Sequence, residues 1–403
     1  MYDTEEYIEA ILDIGTSMIS SGAETHCVED SLYRMFESCG FTRSEVWAIP
    51  SCIQASVTDP DGNTVSRMRH IRETGTDFSQ LEEMNDISEK ICSSPSDGME
   101  AYNTLNQTKP VQQRRWYMTY ITAALGLAGF GIFFRCDASD ILVVAVVSIL
   151  IPLLSAVLGR RESNPLIMNF LLAFVVEMVI LGSYRIGLAH HPDYITITTI
   201  MFLIGTLGLT NGLDDFVHLD TISGMVRLTI SLTGALGIAL GIALSLHLLQ
   251  QDSYTDAVSL NTSLMLQLAA CFLGCTGFSM WLHVKKKYIV YCALGALITW
   301  LGYLLVSKYA DLFFSFISAS IICALYAEVM SRIKKCPAII FRTIAILPLL
   351  PGTDFYYMMN GIVTGDTALY FAKKETLVLT CLGIALGFMA VETAARFVNR
   401  CPR

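Results

Sequence analysis

One apolar block is written twice in this chain, 146 residues apart, and that repeat constrains the fold more than any other feature. Leu236-Gly237-Ile238-Ala239-Leu240-Gly241 is identical to Leu382-Gly383-Ile384-Ala385-Leu386-Gly387. At the same separation Asp220-Thr221 falls on Asp366-Thr367, Phe170 on Phe316, Gly131 on Gly277, and Ala123-Ala124 on Ala269-Ala270. Each copy opens on an apolar segment interrupted by helix breakers: Gly205, Gly208 and Gly212 in the first, Pro348, Pro351 and Gly352 in the second. Interrupted hydrophobic segments at matching places in two halves point to the binding site of a secondary transporter. Loop chemistry at two membrane surfaces is the plainer alternative.

The composition fits a membrane. Of the residues 53% are hydrophobic and only 16% charged, with a mean hydropathy of +0.51, whereas soluble domains are about a quarter charged. The charge is uneven: residues 1–113 carry 20 acidic against 7 basic side chains, and the remainder 16 against 20. An acidic soluble part argues against nucleic acid, which needs clustered Lys and Arg. The 12 cysteines show no zinc-site spacing and suit a reducing setting, so neither a metal nor another cofactor is expected.

Tyr2 to Ile11 is acidic where a signal peptide would be basic, and the first long apolar run waits until Trp116, so the head is expected in the cytoplasm. Ile8, Ile11, Leu12, Gly15, Met18 and Ile19, then Val28, Leu32, Met35 and Phe36, recur at helical spacing. Runs Ser51 to Thr58 and Thr64 to Ile71 flank Asp59-Pro60-Asp61-Gly62-Asn63, which is hairpin chemistry. A further helix is expected from about Phe78 to Ile91 with Asp77 as N-cap, and then a polar connector. Gly22-Ala23-Glu24-Thr25 reads either as a small recognition motif or as a turn with Glu favoured by the helix dipole. His26 and His70 have no partner at metal-ligand spacing.

Spanning helices need roughly 20 apolar residues. Ten segments qualify, near 116–134, 140–158, 165–188, 194–212 and 222–249, then 262–282, 288–306, 311–330, 336–359 and 375–397. Five spans per copy make the copies inverted, and the excess of Lys and Arg in alternate loops puts both termini in the cytoplasm. Gly237 and Gly241, like Gly383 and Gly387, are four apart, a spacing that lets helices approach closely as a packing or sliding surface.

An ionisable group inside a membrane costs about 2.5–3.5 kcal/mol or more and persists there chiefly for function. Glu177, mid-way along the third span with no Lys or Arg within a turn, can load and release a proton or bond a neighbouring helix. Glu328 and Glu392 are expected to pair with Arg332 and Arg396 at i,i+4. Asn211, Gly212, Asp214, Asp215 and His218 follow the first break; Pro351, Gly352, Asp354 and Asn360 belong to or follow the second. These line either loops or a polar cavity. His190-His191-Pro192-Asp193 lacks a third ligand at metal spacing and reads as an outer loop.

These residues carry a resemblance. Ser21-Gly22-Ala23-Glu24-Thr25, the hairpin around Asp61-Gly62, and Thr64-Val65-Ser66-Arg67-Met68 look like the N-terminal domain of the threonine/serine exporter family. Thr210-Asn211-Gly212-Leu213-Asp214-Asp215-Phe216 through Gly224 is similar to that family's signature after its fourth span, and Leu347 to Gly352 with Gly365-Asp366 resembles the second-half counterpart. One departure is Gly205-Thr206, where the first-half signature has Pro-Gly. The resemblance implies a ten-span carrier exporting small hydroxylated amino acids, driven by the proton or charge gradient. A small dicarboxylate such as succinate is the near alternative, because relatives with separate halves are associated with its export.

The expected fold is therefore a polytopic α-helical membrane protein with about ten transmembrane helices in two inverted five-helix repeats. Residues 1–113 form a small α+β cytoplasmic domain, 114–250 the first repeat and 251–403 the second. The expected partners are a small-molecule substrate, protons as coupling ion and the bilayer; a homo-oligomer is compatible with the sequence. A membrane-bound hydrolase or a sensor remains as a further alternative, although no nucleophile, base and orienting group stand together in the sequence.

Overall fold

The computed structural model describes residues 4–72, 75–108, 116–159, 164–204, 208, 211–212, 215–216, 219–249 and 263–399. Asp214, His218 and the Gly205-Thr206 departure lie outside them.

The head contains α1 (Thr4–Ser20), α2 (Thr25–Ser38), strands β1 (Arg43–Ile49), β2 (Cys52–Thr58) and β3 (Thr64–His70), then α3 (Phe78–Ser93) and α4 (Pro95–Thr108). The strands form an antiparallel sheet in chain order, with Val57 opposite Val65. Alternation in β2 buries Ile53, Ala55 and Val57 in one core with Ile11, Leu32, Phe36, Leu81 and Met84. Asp59 holds the hairpin turn by accepting from the Asn63 N–H at 2.8 Å, and Asp77 caps α3 by accepting from Ser79 and Gln80 N–H, both at 3.0 Å. The polar connector of the sequence is α4.

The apolar part comprises α5 (Trp116–Phe133), α6 (Ala138–Leu158), α7 (Pro165–Arg185), α8 (Pro192–Leu203), α9 (Thr221–Leu248), α10 (Leu264–Trp281), α11 (Lys286–Val306), α12 (Leu312–Lys334), α13 (Ala338–Ala345), α14 (Gly352–Thr364) and α15 (Thr367–Asn399). Among the described residues seven helices are long and apolar enough to cross a membrane: α6, α7, α9, α10, α11, α12 and α15. The pair α13 and α14, bent by 51° at the 3-10 turn Leu347–Leu349 and Pro351, makes an eighth. α5 is a shorter apolar helix, and α8 stops after 12 residues. Leu142, Val146, Ile149, Leu153 and Val157 leave one stripe of α6 exposed and apolar, as a lipid-facing surface requires. The protein is a polytopic helical membrane protein.

Equivalent glycines make equivalent contacts. A Cβ on Gly237 would stand 2.4 Å from the Leu166 carbonyl oxygen and 3.1 Å from the Phe170 nitrogen of α7; on Gly383 it would stand 3.0 Å from Phe316 Cβ of α12. Gly241 packs on Phe170 and Phe174, and Gly387 on Ile317 and Ser320, so α9 lies on α7 as α15 lies on α12. Between the halves, Gly126 meets Gly277 and Gly129 meets Gly274; contacts rising along α5 and falling along α10 make these helices antiparallel.

Candidate functional site

The Gly22-Ala23-Glu24-Thr25 turn is where the three parts of the molecule meet. α1 ends in a hydrogen-bonded reversal: the Gly22 N–H donates to Ile19 O and the Ala23 N–H to Met18 O, both at 3.0 Å, with Gly22 at φ +99°. This Schellman arrangement needs a residue without a Cβ at the left-handed position. It aims Ala23, Glu24 and Thr25 out of the head and into the apolar part.

The first half grips the backbone of the turn. Asn211 Nδ2 donates to Gly22 O at 3.1 Å, and Arg227 Nη2 of α9 donates to Ala23 O at 2.8 Å. Asp215, fully buried, accepts from the Thr25 N–H at 3.4 Å and pairs with Arg227 Nε at 3.0 Å. The Thr25 amide is one of the donors that the first turn of α2 leaves without an intrahelical partner, so Asp215 caps α2 from another domain. Ser223 adds a bond to Ala48 O at 3.5 Å.

The second half grips the side chain. Glu24 occupies the N-cap position of α2 without capping it; its carboxylate reaches Arg342 of α13 instead. Arg342 is 6% exposed, lies over the Phe388 ring, and is also bound by Glu392 of α15. Glu392 reaches Arg342, a buried guanidinium that needs anionic partners within the same low-dielectric space; the side chain of Arg396, its expected partner, lies outside the described residues. Glu328 does pair with Arg332, at 3.8 Å. A polar cavity of about 760 Å³ opens beside this triad, bordered by Glu24, His26, Asn85, Ser331, Arg342 and Glu392.

A second anchor holds α3. Glu82, buried, accepts from Tyr288 OH at 3.0 Å and pairs with Lys287 at 2.9 Å and Lys285 at 3.3 Å, while the Phe78 N–H donates to Leu282 O at 3.1 Å. Burial, reinforced by the nearby Asp220 and opposed by a bond from the Ala48 N–H, holds the Glu29 carboxyl of α2 above its ordinary range.

Deeper in the molecule the end of α8 faces the second break; residues 205–207 and 209–210 of the first break lie outside the described residues. Gly352 approaches Met201 Cβ, and a cavity of about 200 Å³ between α8, α9, α14 and α15 is bordered by Ile204, Ser231, Leu350, Pro351, Gly352 and Phe355. Ser231 also borders a cavity of about 290 Å³ under the head that reaches Asn169, Asn211, Arg227 and Gly22. Asn211 and Asp215 therefore serve the head contact rather than the space between the breaks. Asp354 forms an ion pair with Lys373 of α15 at 2.9 Å, and Asn360 is buried in α14. Glu177 is buried between α7 and α8, where Thr196 Oγ1 donates to it at 2.9 Å.

Histidines read as isolated in the sequence have close neighbours in space. His26 Nε2 lies 3.2 Å from Cys27 Sγ and 3.8 Å from Glu24 Oε2, and its ring also falls in a group with Asp215 and Asp220. His191 Nδ1 lies 3.0 Å from Asp140 Oδ2, and the other oxygen, Oδ1, accepts from the His190 and His191 N–H groups, so Asp140 ties down that loop. No sequence spacing signals the contacts of Arg227 and Arg342 with the head, or of Asp140 with His190 and His191, because those partners come from distant elements.

Residues 9–249, more than half of the chain, match the family model described as "Putative threonine/serine exporter", and residues 267–394 match "Threonine/Serine exporter, ThrE". Among curated proteins, the "Probable threonine/serine exporter" of Mycobacterium tuberculosis is 23% identical over 385 residues, covering 90% of this chain and 71% of that protein. The "Threonine/serine exporter" of Corynebacterium glutamicum is 22% identical over 256 residues, covering 61% of this chain and 52% of that protein. No solved structure matches the chain significantly. The chain belongs to the threonine/serine exporter family.

Proposed function

We propose that the protein exports threonine and serine from the cytoplasm by alternating access, as a secondary carrier driven by the proton motive force, and that it is not an enzyme. Ten membrane-crossing segments form two inverted five-helix repeats, 114–250 and 251–403, beneath a cytoplasmic head of residues 1–113. Both termini are cytoplasmic. The observation that carries the reading is the register of contacts that the two halves share, with the end of α8 facing the second interrupted segment across one cavity. The antiparallel run of α5 and α10, the first helices of the two halves, supports the inversion. Every membrane-side contact of the head, from Asn211 through Leu282 and Lys287 to Arg342 and Glu392, falls where the proposed topology has a cytoplasmic end.

In this mechanism the substrate sits between the breaks, its carboxylate toward the N-terminus of α14 at Pro351 and Gly352, where first-turn N–H groups lack intrahelical acceptors. Lys373 already pairs with Asp354, which leaves Glu177 as the proton-coupling carboxyl of the membrane interior. Gly237, Gly241, Gly383 and Gly387 form the close-packed seams of the two repeats. The test is efflux of labelled threonine, serine and succinate from loaded cells at several pH values, wild type beside Glu177→Gln. PH-driven net efflux of the two hydroxylated amino acids, lost in the variant while exchange survives, is the expected result. Efflux of succinate alone overturns the substrate; unchanged gradient-driven efflux in the variant overturns the role of Glu177.

A further inference from the structure

We propose that Asp137, Asp140 and His191 hold a divalent transition-metal ion of the zinc class at the end of the helical bundle away from the head, and that the ion pins α8 to α6. The metal site stands on its own geometry; its outward placement and its effect on transport rest on the export reading.

Two chain reversals meet at that end. Leu282, just after α10, accepts from the head at Phe78, and α5 runs antiparallel to α10, so the turn from α5 into α6 lies at the far end of the bundle. The connection from α7 into α8 packs against it. His190 and His191 stand side by side in the sequence without a further ligand, and the start of α6 supplies what they lack, Asp140 being 51 positions from His191. His191 Nδ1 lies 3.0 Å from Asp140 Oδ2 and 3.7 Å from Asp137 Oδ2, and the three ligand atoms fall within 4.8 Å of one another. Atoms that share a zinc ion at about 2.0–2.2 Å stand about 3–3.6 Å apart, so a rotation of the exposed Asp137 side chain closes the set.

The ligands are held ready. Asp140 is fully buried and oriented through its other oxygen, which accepts from the His190 and His191 N–H groups at 2.8 and 3.2 Å, while the His191 ring stacks on Tyr194. Helix capping accounts for the bond from the Asp137 N–H to Asp140 Oδ2, but a cap needs one acceptor, and here two carboxylates converge on one imidazole nitrogen. Nδ1 carries at most one proton and donates to one of them; a divalent cation in the proton's place meets both, and the proton leaves to solvent. Among the described residues no Lys or Arg comes within 4.0 Å of either carboxylate, only the two imidazoles. One imidazole nitrogen with two carboxylate oxygens suits Zn²⁺ or a neighbouring first-row ion over Mg²⁺ and Ca²⁺, which prefer oxygen alone. His191 is also the N-cap residue of α8. That helix carries Thr196, the partner of Glu177, and its Met201 borders the cavity that the second break also borders. An ion held by α6 and His191 therefore restrains the helix that joins this end of the molecule to that cavity.

The test is calorimetric titration of the purified full-length protein with ZnCl2, in a Cys27→Ser background that removes the thiol beside His26. The background protein is compared with Asp137→Asn and His191→Ala; Asp137 is exposed, so its variant probes the site without the loss of loop structure that Asp140→Asn risks. One saturable Zn²⁺ site is expected, weakened at least about tenfold in each variant and not competed by Mg²⁺. Equal Zn²⁺ affinity in the three proteins, or no saturable binding, overturns the site. ZnCl2 added outside threonine-loaded cells then tests the pinning: efflux is expected to slow in the background protein and not in Asp137→Asn. Zinc binding with unslowed efflux sinks the pinning alone. No threonine efflux even without zinc sinks the export reading, and the titration still decides the site.

Discussion

Asp215, Arg227, Glu24 and Arg342 lie at the base of the head, out of bulk water, and each is answered by a neighbour of opposite charge. Asp215→Ala leaves Arg227 without its anion and the Thr25 N–H without its acceptor, a change expected to weaken docking by about 3–5 kcal/mol. Faster amide exchange over residues 22–28 in the variant is the readout; unchanged exchange there would show that the contact contributes nothing. Gly22→Ala forces a Cβ into the left-handed region and is expected to cost about 1–2 kcal/mol, seen as a lower unfolding midpoint of the head. Glu29 gives a pH dependence. Burial raises its carboxyl, so the folded state holds the proton more tightly than the unfolded one, and its contribution to stability is present in acid and lost as pH rises from about 4.5 through the raised value. Glu29→Gln keeps the acceptor for the Ala48 N–H and removes that loss. The variant should be the more stable protein at pH 7 and gain nothing at pH 4, as thermal unfolding at the two values would reveal. None of these charges could be assigned from the sequence. Glu24 and Arg342 are 318 positions apart, and the local chemistry of Glu24, an acid at a helix start, has a sufficient explanation without Arg342.

Helices and seams were far more legible, because hydrophobic runs, glycine spacing and caps act over a few residues. Asp77 caps α3 where the sequence predicts, and the second break lies at the predicted Pro348 and Pro351. The duplicated Leu-Gly-Ile-Ala-Leu-Gly block packs the same way twice because each copy meets the same register of α7 or α12. The two copies nevertheless differ in tolerance. A methyl on Gly237 runs into a backbone carbonyl at 2.4 Å, whereas on Gly383 its nearest contact is 3.0 Å away. Gly237→Ala should therefore lower the thermal midpoint more than Gly383→Ala, with a cost of about 1–3 kcal/mol for the former. A reversed order would contradict the closer approach at Gly237. What the sequence left open at this scale was which way the polar residues beside the first break turn: Asn211 and Asp215 turn to the head, whose backbone offers them a carbonyl and an N–H.

At the scale of the whole molecule, one acidic head is fastened to both halves of a polytopic membrane protein, through backbone contacts to the first and a carboxylate to the second. Its carboxylates Glu82 and Glu24 meet Lys285, Lys287 and Arg342, which complement the head's negative charge at those anchors. The family and the repeat converge on export of a small amino acid across that membrane. The most direct measurement is counterflow in liposomes that contain the purified full-length protein and nothing else. Vesicles filled with unlabelled threonine should accumulate labelled threonine and labelled serine, each chased out by the other, while labelled succinate stays outside. Accumulation of succinate in place of the amino acids, or of none of the three by protein that is folded and inserted, would contradict the account.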